Sequence, residues 1–444
     1  MRIFLLSVYF YISNLYFDAI SAYSFAPNIF EFFTIFLAIF FVNSYRLAKP
    51  ILVLWAFLYY CVFCYIRFAG HIPSPFEISL FWSHLDETFE SFVSLLHLFV
   101  APFIFFCGAI LLIFWQKPTQ ANFKIFVVLA CVLIFIPFDF ADSSLNMLKN
   151  IANSFVYNTA QISNSIQQKP ITTPKSKQFI VIIGESLRSD KLSLSGNHPK
   201  FSPNLYKLKD ELFYSKIYAN GTNTDVALPL FFNGTQNLHD INLGNNLFTL
   251  AKDAGFQTHF VTSQTQKYLK YIMPYIGNVG KMTILETKND LDLPKQLEQI
   301  NLETNNFVVF QMIGTHSPYK FYDKQFAKFP NDYDNCVLQS DFVISKIFEF
   351  AIKNKIPTIY FSDHGELLGE TDGFYGHNRF NEAVYFVPFL SYGIENPAKI
   401  KSQNDIFEVL KTNLGYQKEP NFAKIIRVNG SMITGEDGFR EFKR

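Results

Sequence analysis

Hydrophobic and polar positions follow two regimes that meet near residue 150. Before it, long runs of Phe, Leu, Ile, Tyr and Val carry few charges; after it, short apolar runs alternate with stretches rich in Lys, Asp, Asn and Gln, as in a soluble domain. A bilayer-crossing helix takes about 20 mainly apolar residues. The first regime offers five such stretches, at residues 2–22, 28–44, 50–69, 93–115 and 122–140, the second being the shortest. A cleaved signal peptide is the rival reading of the first. Only Arg2 precedes it, Asn14 and Asp18 interrupt it and further spans follow, so a retained span is expected.

Short loops give the orientation. Arg46 and Lys49 lie between spans two and three, and Lys117 and Lys124 between four and five, which marks those loops as cytoplasmic. The loop between spans three and four carries Glu77, Asp86, Glu87 and Glu90. Five spans from a cytoplasmic N-terminus put everything after residue 140 outside the cytoplasm. Leu145, Leu148, Ile151, Phe155, Val156 and Ile162 then recur at helical spacing, the pattern of an interfacial helix, with a plain linker as the alternative. Pro170 to Pro174 mark a border. The organisation expected is a transmembrane part over 1–140, a bridging segment over 141–175 and a catalytic domain over 176–444.

In the second regime FIVIIGES (179–186), FVVFQMIGTHSP (307–318) and TIYFSDHGE (358–366) read as buried parallel strands that end in chemically capable residues. Helical stretches at 203–212, 246–254, 291–300 and 336–354 alternate with them, so the fold class is α/β. Open sheets of this kind bind at the carboxyl ends of their strands, where Glu185, His316, Asp363 and His364 fall. A helix near 403–413 and a tight hairpin at Asn429-Gly430 complete the chain.

A net charge of +1 and the lack of any basic run set nucleic acid aside as a partner. Four cysteines, Cys61, Cys64, Cys107 and Cys131, lie in the apolar third, so Cys336 has no partner for an internal disulfide in the soluble part. A carboxylate after a strand and a glycine, with an Asp-His pair after another strand, supplies oxygen and imidazole ligands suited to zinc, manganese or calcium. Each residue alone has a plainer reading, as a cap or a polar turn residue. Three such groups at successive strand ends favour a metal site.

The segments GESLRSDKLSLSG (184–196), NGTNTDVALP (220–229), IGTHSP (313–318) and SDHGELLGE (362–370), in this order, resemble the four motifs of the phosphoethanolamine transferases, in the sulfatase/alkaline phosphatase superfamily. The resemblance implies five transmembrane helices followed by a sulfatase-like α/β sandwich, and zinc held by Glu185, Thr224, Asp363 and His364, as one ion or with a second, manganese being the lesser candidate. It makes Thr224 the nucleophile and Thr222 a neighbour, and places His316 and His377 to bind phosphate or transfer protons. Arg188, Asp190 and Glu366 would orient the site. It also points to Lys267 against a substrate phosphate, where a solvated lysine is the plainer reading, and to Thr88 and Glu90 around the ethanolamine lipid. Asn220 stands where relatives often have a cysteine.

What the resemblance implies is a monomeric, multi-pass protein of a bacterial inner membrane with its catalytic domain in the periplasm. It would move phosphoethanolamine from phosphatidylethanolamine, through a phospho-threonine, to lipid A, lipopolysaccharide or another envelope glycan or protein. A phosphoglycerol transferase acting on a glucan or other envelope polymer is the alternative. A sulfatase proper would need a C-x-P-x-R or S-x-P-x-R segment, and the sequence has neither.

Overall fold

The computed structural model describes residues 1–21, 27, 29–43, 47–75, 77–78, 81, 92–93, 95–117, 143–155, 168–269, 272–277, 279–285, 287–370, 373–435 and 437–444. The chain divides into two compact units, one of residues 1–157 with 368–375, the other of 158–367 with 376–444.

The first unit is helical: α1 (Arg2–Ala19), α2 (Ile29–Val42), α3 (Ala48–Ala69), α4 (Val100–Trp115, entered through the 3-10 turn Leu96–Phe99) and α5 (Ser143–Ser154). Leu6, Phe10 and Phe17 of α1 pack with Leu52, Tyr59 and Phe63 of α3 and with Ala109 and Ile113 of α4. The Phe17 and Phe63 rings stack 4.0 Å apart. Asn14, a polar residue in an apolar helix, is buried, and its side-chain oxygen accepts bonds from the Ser143 amide at 3.2 Å and hydroxyl at 2.5 Å. That pairing meets the demand of a buried amide. Among the described residues, Ala48–Ala69 and Leu96–Trp115 are long and apolar enough to cross a membrane, and Glu31–Val42 is a shorter apolar helix. The expected fifth span, 122–140, lies outside the described residues, as do Arg46, Asp86, Glu87, Thr88, Glu90 and Lys124.

The second unit is built on a seven-stranded sheet: β1 (Gln178–Gly184), β2 (Phe213–Tyr218), β3 (Gln257–Thr262), β4 (Lys281–Ile284), β5 (Asn306–Gln311), β6 (Thr358–Ser362) and β7 (Phe386–Tyr392), in the order β2-β7-β6-β1-β5-β3-β4. The run β6-β1-β5-β3-β4 is parallel, with Val181 opposite Val309 on one side and Ile359 on the other; β2 and β7 add an antiparallel margin. The three strands expected from apolar runs are thus neighbours at the centre of the sheet. Buried on both faces, they need no alternation of polar residues.

Phe179, Val181 and Ile183 point to one face and pack with α6 (Thr224–Asn233), α7 (Leu247–Asp253) and α8 (Gln403–Asn413), through Phe231, Phe248 and Phe407. A long helix, Asp332–Asn354, runs against β6 and β7. The stretch 291–300 forms 3-10 turns, Asp290–Asp292 and Pro294–Gln299, in place of the expected helix. Pro294 interrupts that segment. Strands β8 (Ile425–Asn429) and β9 (Phe439–Lys443) make the expected hairpin, yet Asn429 pairs with Phe439, so residues 430–438 form the connection and Asn429-Gly430 is no two-residue turn. Asp437 accounts for the difference: its carboxylate accepts the backbone N–H groups of Ser431 and Met432 and holds the wider loop together.

Candidate metal and nucleophile site

Strand β1 ends at Gly184, where a Cβ would stand 2.3 Å from the Tyr360 hydroxyl, so a side chain there would have to displace the buried Tyr360 ring. Glu185 follows at once. Strand β6 ends at Ser362 and delivers Asp363 and His364; the Asp363 amide donates to the Gly184 carbonyl at 3.0 Å, which keeps the two strand ends level. Thr224 arrives from the other side, in the first turn of α6, whose N-cap Asn223 accepts from the Val226 amide at 3.1 Å. All four residues expected to hold a metal are therefore brought together.

The Thr224 hydroxyl lies 2.6 Å from Asp363 Oδ2, 3.1 Å from Glu185 Oε2 and 3.2 Å from His364 Nε2. His364 Nε2 is 3.3 Å from Glu185 Oε1 and 3.5 Å from Asp363 Oδ2. The surroundings aim these atoms. Asp363 Oδ1 accepts the Ser186 and His364 amides at 3.1 and 2.7 Å, leaving Oδ2 for the centre. Glu185 accepts from the Gln264 side-chain amide at 2.9 Å. His364 Nδ1 faces the Gly365 carbonyl at 2.9 Å. A carbonyl only accepts, so the Nδ1 proton is fixed and Nε2 turns inward, the arrangement that prepares imidazole for a metal. Gly365 has no space for a side chain, since a Cβ would meet the Ala383 carbonyl oxygen at 2.0 Å.

Glu185, Asp363 and His364 are almost wholly shielded from solvent, at 2, 1 and 0 % exposure. Burial pushes the Glu185 carboxyl up, but its bond to the His364 ring and that ring's positive charge prevail and hold it well below the usual carboxylate range. Burial and the adjacent Glu185 charge push Asp363 up to about 7. Burial works against a charged His364, yet Asp363 and Glu185 outweigh it and raise the ring to about 10. A proton on imidazole is the only positive charge these residues can themselves supply against two crowded carboxylates. The donor set, two carboxylate groups, an oriented imidazole and a hydroxyl within a few ångströms, fits a divalent cation.

His364 belongs to a second group, with Glu366 and His377, whose possible ligand atoms also lie within 4.8 Å of one another. His377 Nδ1 is 3.0 Å from Glu366 Oε2, and its ring centroid is 4.1 Å from that of His364. Burial and the His364 charge lower the His377 ring, while Glu366 opposes them. His316 is partly exposed; its Nδ1 bonds the Ser317 carbonyl at 2.5 Å, and its ring lies 4.9 Å from that of Tyr268. Arg188 bonds Asp190 and the Glu366 carbonyl, so both residues brace the loop after β1. The backbone of Lys267 lies in the short helix Gln266–Leu269, and its side chain is outside what is described.

Sequence reasoning missed several supports of this site. Gln264 carries no motif and reaches Glu185 from β3's end. Asp290 accepts the amides of Ile313 and Gly314 at 2.8 and 2.9 Å and so sets the loop bearing His316. Gln403 donates to the Ser362 and Asp363 carbonyls at 2.8 and 2.7 Å. Asp225, beside Thr224, is pushed up to about 7 by burial and then by the Glu185 charge. Its place after GTNT was the available signal.

Comparison with known proteins agrees with this geometry. The chain is 26% identical over 289 residues to the putative transferase YhbX of Escherichia coli K12, spanning 60% of this chain and 51% of the relative. It is 28% identical over 243 residues to the phosphoethanolamine transferase EptA of Salmonella typhimurium, spanning 45% of this chain and 42% of that one. The chain thus spans about half the length of the curated relatives it matches. The integral membrane lipooligosaccharide phosphoethanolamine transferase A of Neisseria meningitidis shares the fold, with a TM-score of 0.65 at 16% identity over 94% of this chain and 95% of that one. The sulfatase profile matches residues 177–416, more than half of the chain and the segment that carries the sheet, Thr224 and the buried cluster, and the chain belongs to the sulfatase family.

Proposed function

We propose that the protein transfers phosphoethanolamine from phosphatidylethanolamine to an envelope acceptor, lipid A or lipopolysaccharide first among them, with Thr224 as nucleophile. The observation that carries this reading is the Thr224 hydroxyl, 2.6 Å from one buried carboxylate and within 3.2 Å of a second and of an imidazole nitrogen. A hydroxyl needed only for packing or capping would not be set among charged groups at such cost in desolvation.

Glu185, Asp363, His364 and Thr224 would hold the cation, for which zinc suits the mixed oxygen and nitrogen donors. When bound, it supplies Lewis acidity that favours the threonine alkoxide and offsets charge on the phosphoryl oxygens. The Thr224 proton leaves to solvent, to which the residue is partly exposed. The Thr224 oxygen attacks phosphorus, the bond from phosphorus to the diacylglycerol oxygen breaks, and His316 or His377 serves as proton donor to that oxygen. An acceptor hydroxyl or phosphate then attacks the phospho-threonine, the bond to Thr224 breaks, and the threonine recovers a proton.

The helical unit supports a membrane placement. Leu54, Ile104, Leu111 and Phe114 expose apolar faces of α3 and α4. Arg2 stacks on Trp115 and Lys49 on Phe114, which gathers positive charge at one end of α4 as a cytoplasmic end requires. The reading is a monomeric, five-span inner-membrane protein with 176–444 as a periplasmic catalytic domain. Mass spectrometry of envelope glycolipids from cells making the wild type or Thr224→Ala tests it. A phosphoethanolamine mass that depends on Thr224 is expected, with a loss of about a thousandfold or more in the variant. A phosphoglycerol mass, or no Thr224-dependent mass on any lipid, glycan or surface protein, would sink it.

A further inference from the structure

The last hairpin, β8 and β9, lies beyond the segment that the sulfatase profile matches and touches the segments flanking both ends of the helix that carries Thr224. Before α6, the Asn429 amide and side chain both donate to the Asn220 carbonyl, at 2.9 and 3.0 Å. Gly221 forms a bridge with Asn429, and the Asn223 side chain donates to the Ser431 carbonyl at 3.0 Å. After α6, Gln236 accepts from the Arg427 amide at 2.6 Å, donates to the Ile425 carbonyl at 3.3 Å and accepts from Asn429 at 3.1 Å. Asp437 closes the loop by binding the Ser431 and Met432 amides.

From these contacts we infer that the hairpin is a clamp that positions the nucleophile, a role that rests on the reading of Thr224 given above. A helix whose two ends are tied to one strand cannot slide or rotate without breaking bonds at both. The Thr224 hydroxyl meets three partners within 3.2 Å, and an attacking oxygen loses much of its rate when displaced by about 1 Å. Asn429 is the pivot, since its one side-chain amide reaches the flank before α6 and the flank after it. Asn223 does two jobs: its oxygen caps the helix, and its nitrogen joins the clamp.

The test uses the full chain in detergent with saturating phosphatidylethanolamine and follows the first turnover as mass gained by the protein. Asn429→Ala removes the pivot. Asn223→Ser keeps an N-cap and removes only the donor to Ser431. Glu441→Ala serves as control, for it breaks the Arg427 pair within the same hairpin and leaves α6 untouched. Both clamp variants are expected to slow the first turnover at least tenfold, with donor KM and bound cation within about twofold of wild type, and the control to match wild type. First-turnover rates within twofold of wild type, or an equal loss in Glu441→Ala, would overturn the clamp. Amide exchange at Val226 and Ala227, expected to quicken in Asn429→Ala, reads the clamp without any reaction. Unchanged exchange would overturn it, whereas a wild type that gains no mass would instead overturn the proposed function.

Discussion

Two sets of buried carboxylates sit in the α/β unit and meet opposite surroundings. Asp341 lies alone beneath a short helix, taking the Asn204 and Leu205 amides at 3.0 and 2.8 Å and the Asn204 side chain at 2.7 Å. Asp290 and Asp405 likewise face backbone N–H groups. Glu185 and Asp363 instead turn oxygens toward each other's territory, with a hydroxyl and one imidazole between them. Burial pushes Asp341 up to about 6 although its N–H partners pull the other way, while at Asp363 the neighbouring carboxylate adds to burial. A buried acid aimed at N–H groups fastens a loop. Two aimed at one point fit a cation.

The largest test of that contrast is pH. Because the folded Asp341 carboxyl is raised from 3.8 to about 6, its contribution to stability is complete below about pH 4 and is lost as pH rises through 6. Across that window the wild type should lose on the order of 3 kcal/mol relative to Asp341→Asn. Thermal unfolding of the two proteins at pH 4 and 7 reads the difference, and parallel slopes would remove Asp341 from the account.

Chelation comes next. With a cation at one hundred times its Kd the wild type should gain about 2.7 kcal/mol, which a chelator takes away. Asp363→Asn should lose this response and, free of cation, be no less stable than wild type, because one of two crowded charges is gone. A wild-type melting temperature indifferent to chelator would break the comparison outright. The smallest effect is Asp341→Ala at pH 7, a loss of about 1–2 kcal/mol, since the orphaned amides are partly offset by relief of the buried charge. Denaturant midpoints would show it, and a gain in stability would contradict the fastening role.

How legible the molecule is in its sequence depends on where partners lie. The central strands and the residues at their ends can be read from local apolar runs and from the chemistry that follows them, and Glu185, Asp363 and His364 are such residues. Gln264 and Gln403 cannot be read so. Each acts on a group 79 and 40 residues away along the chain, and nothing near either announces it. The hairpin departs from expectation at its turn for the same reason. Asn429-Gly430 favours a tight turn locally, and Asp437 overrides it through the Ser431 and Met432 amides. The helix expected over 291–300 yields to Pro294 and to Asp290, whose carboxylate is committed to the 313–314 loop.

Gly365 shows how such packing confines variation. Its neighbours Asp363, His364 and Glu366 could in principle be exchanged for other ligands with some new metal preference. The glycine among them has no such latitude, because even a methyl group would strike the Ala383 carbonyl. A library randomised over 363–366 and selected for function should therefore return glycine at 365 even in clones that have changed their metal, making the emptiest position the most constrained letter in the segment.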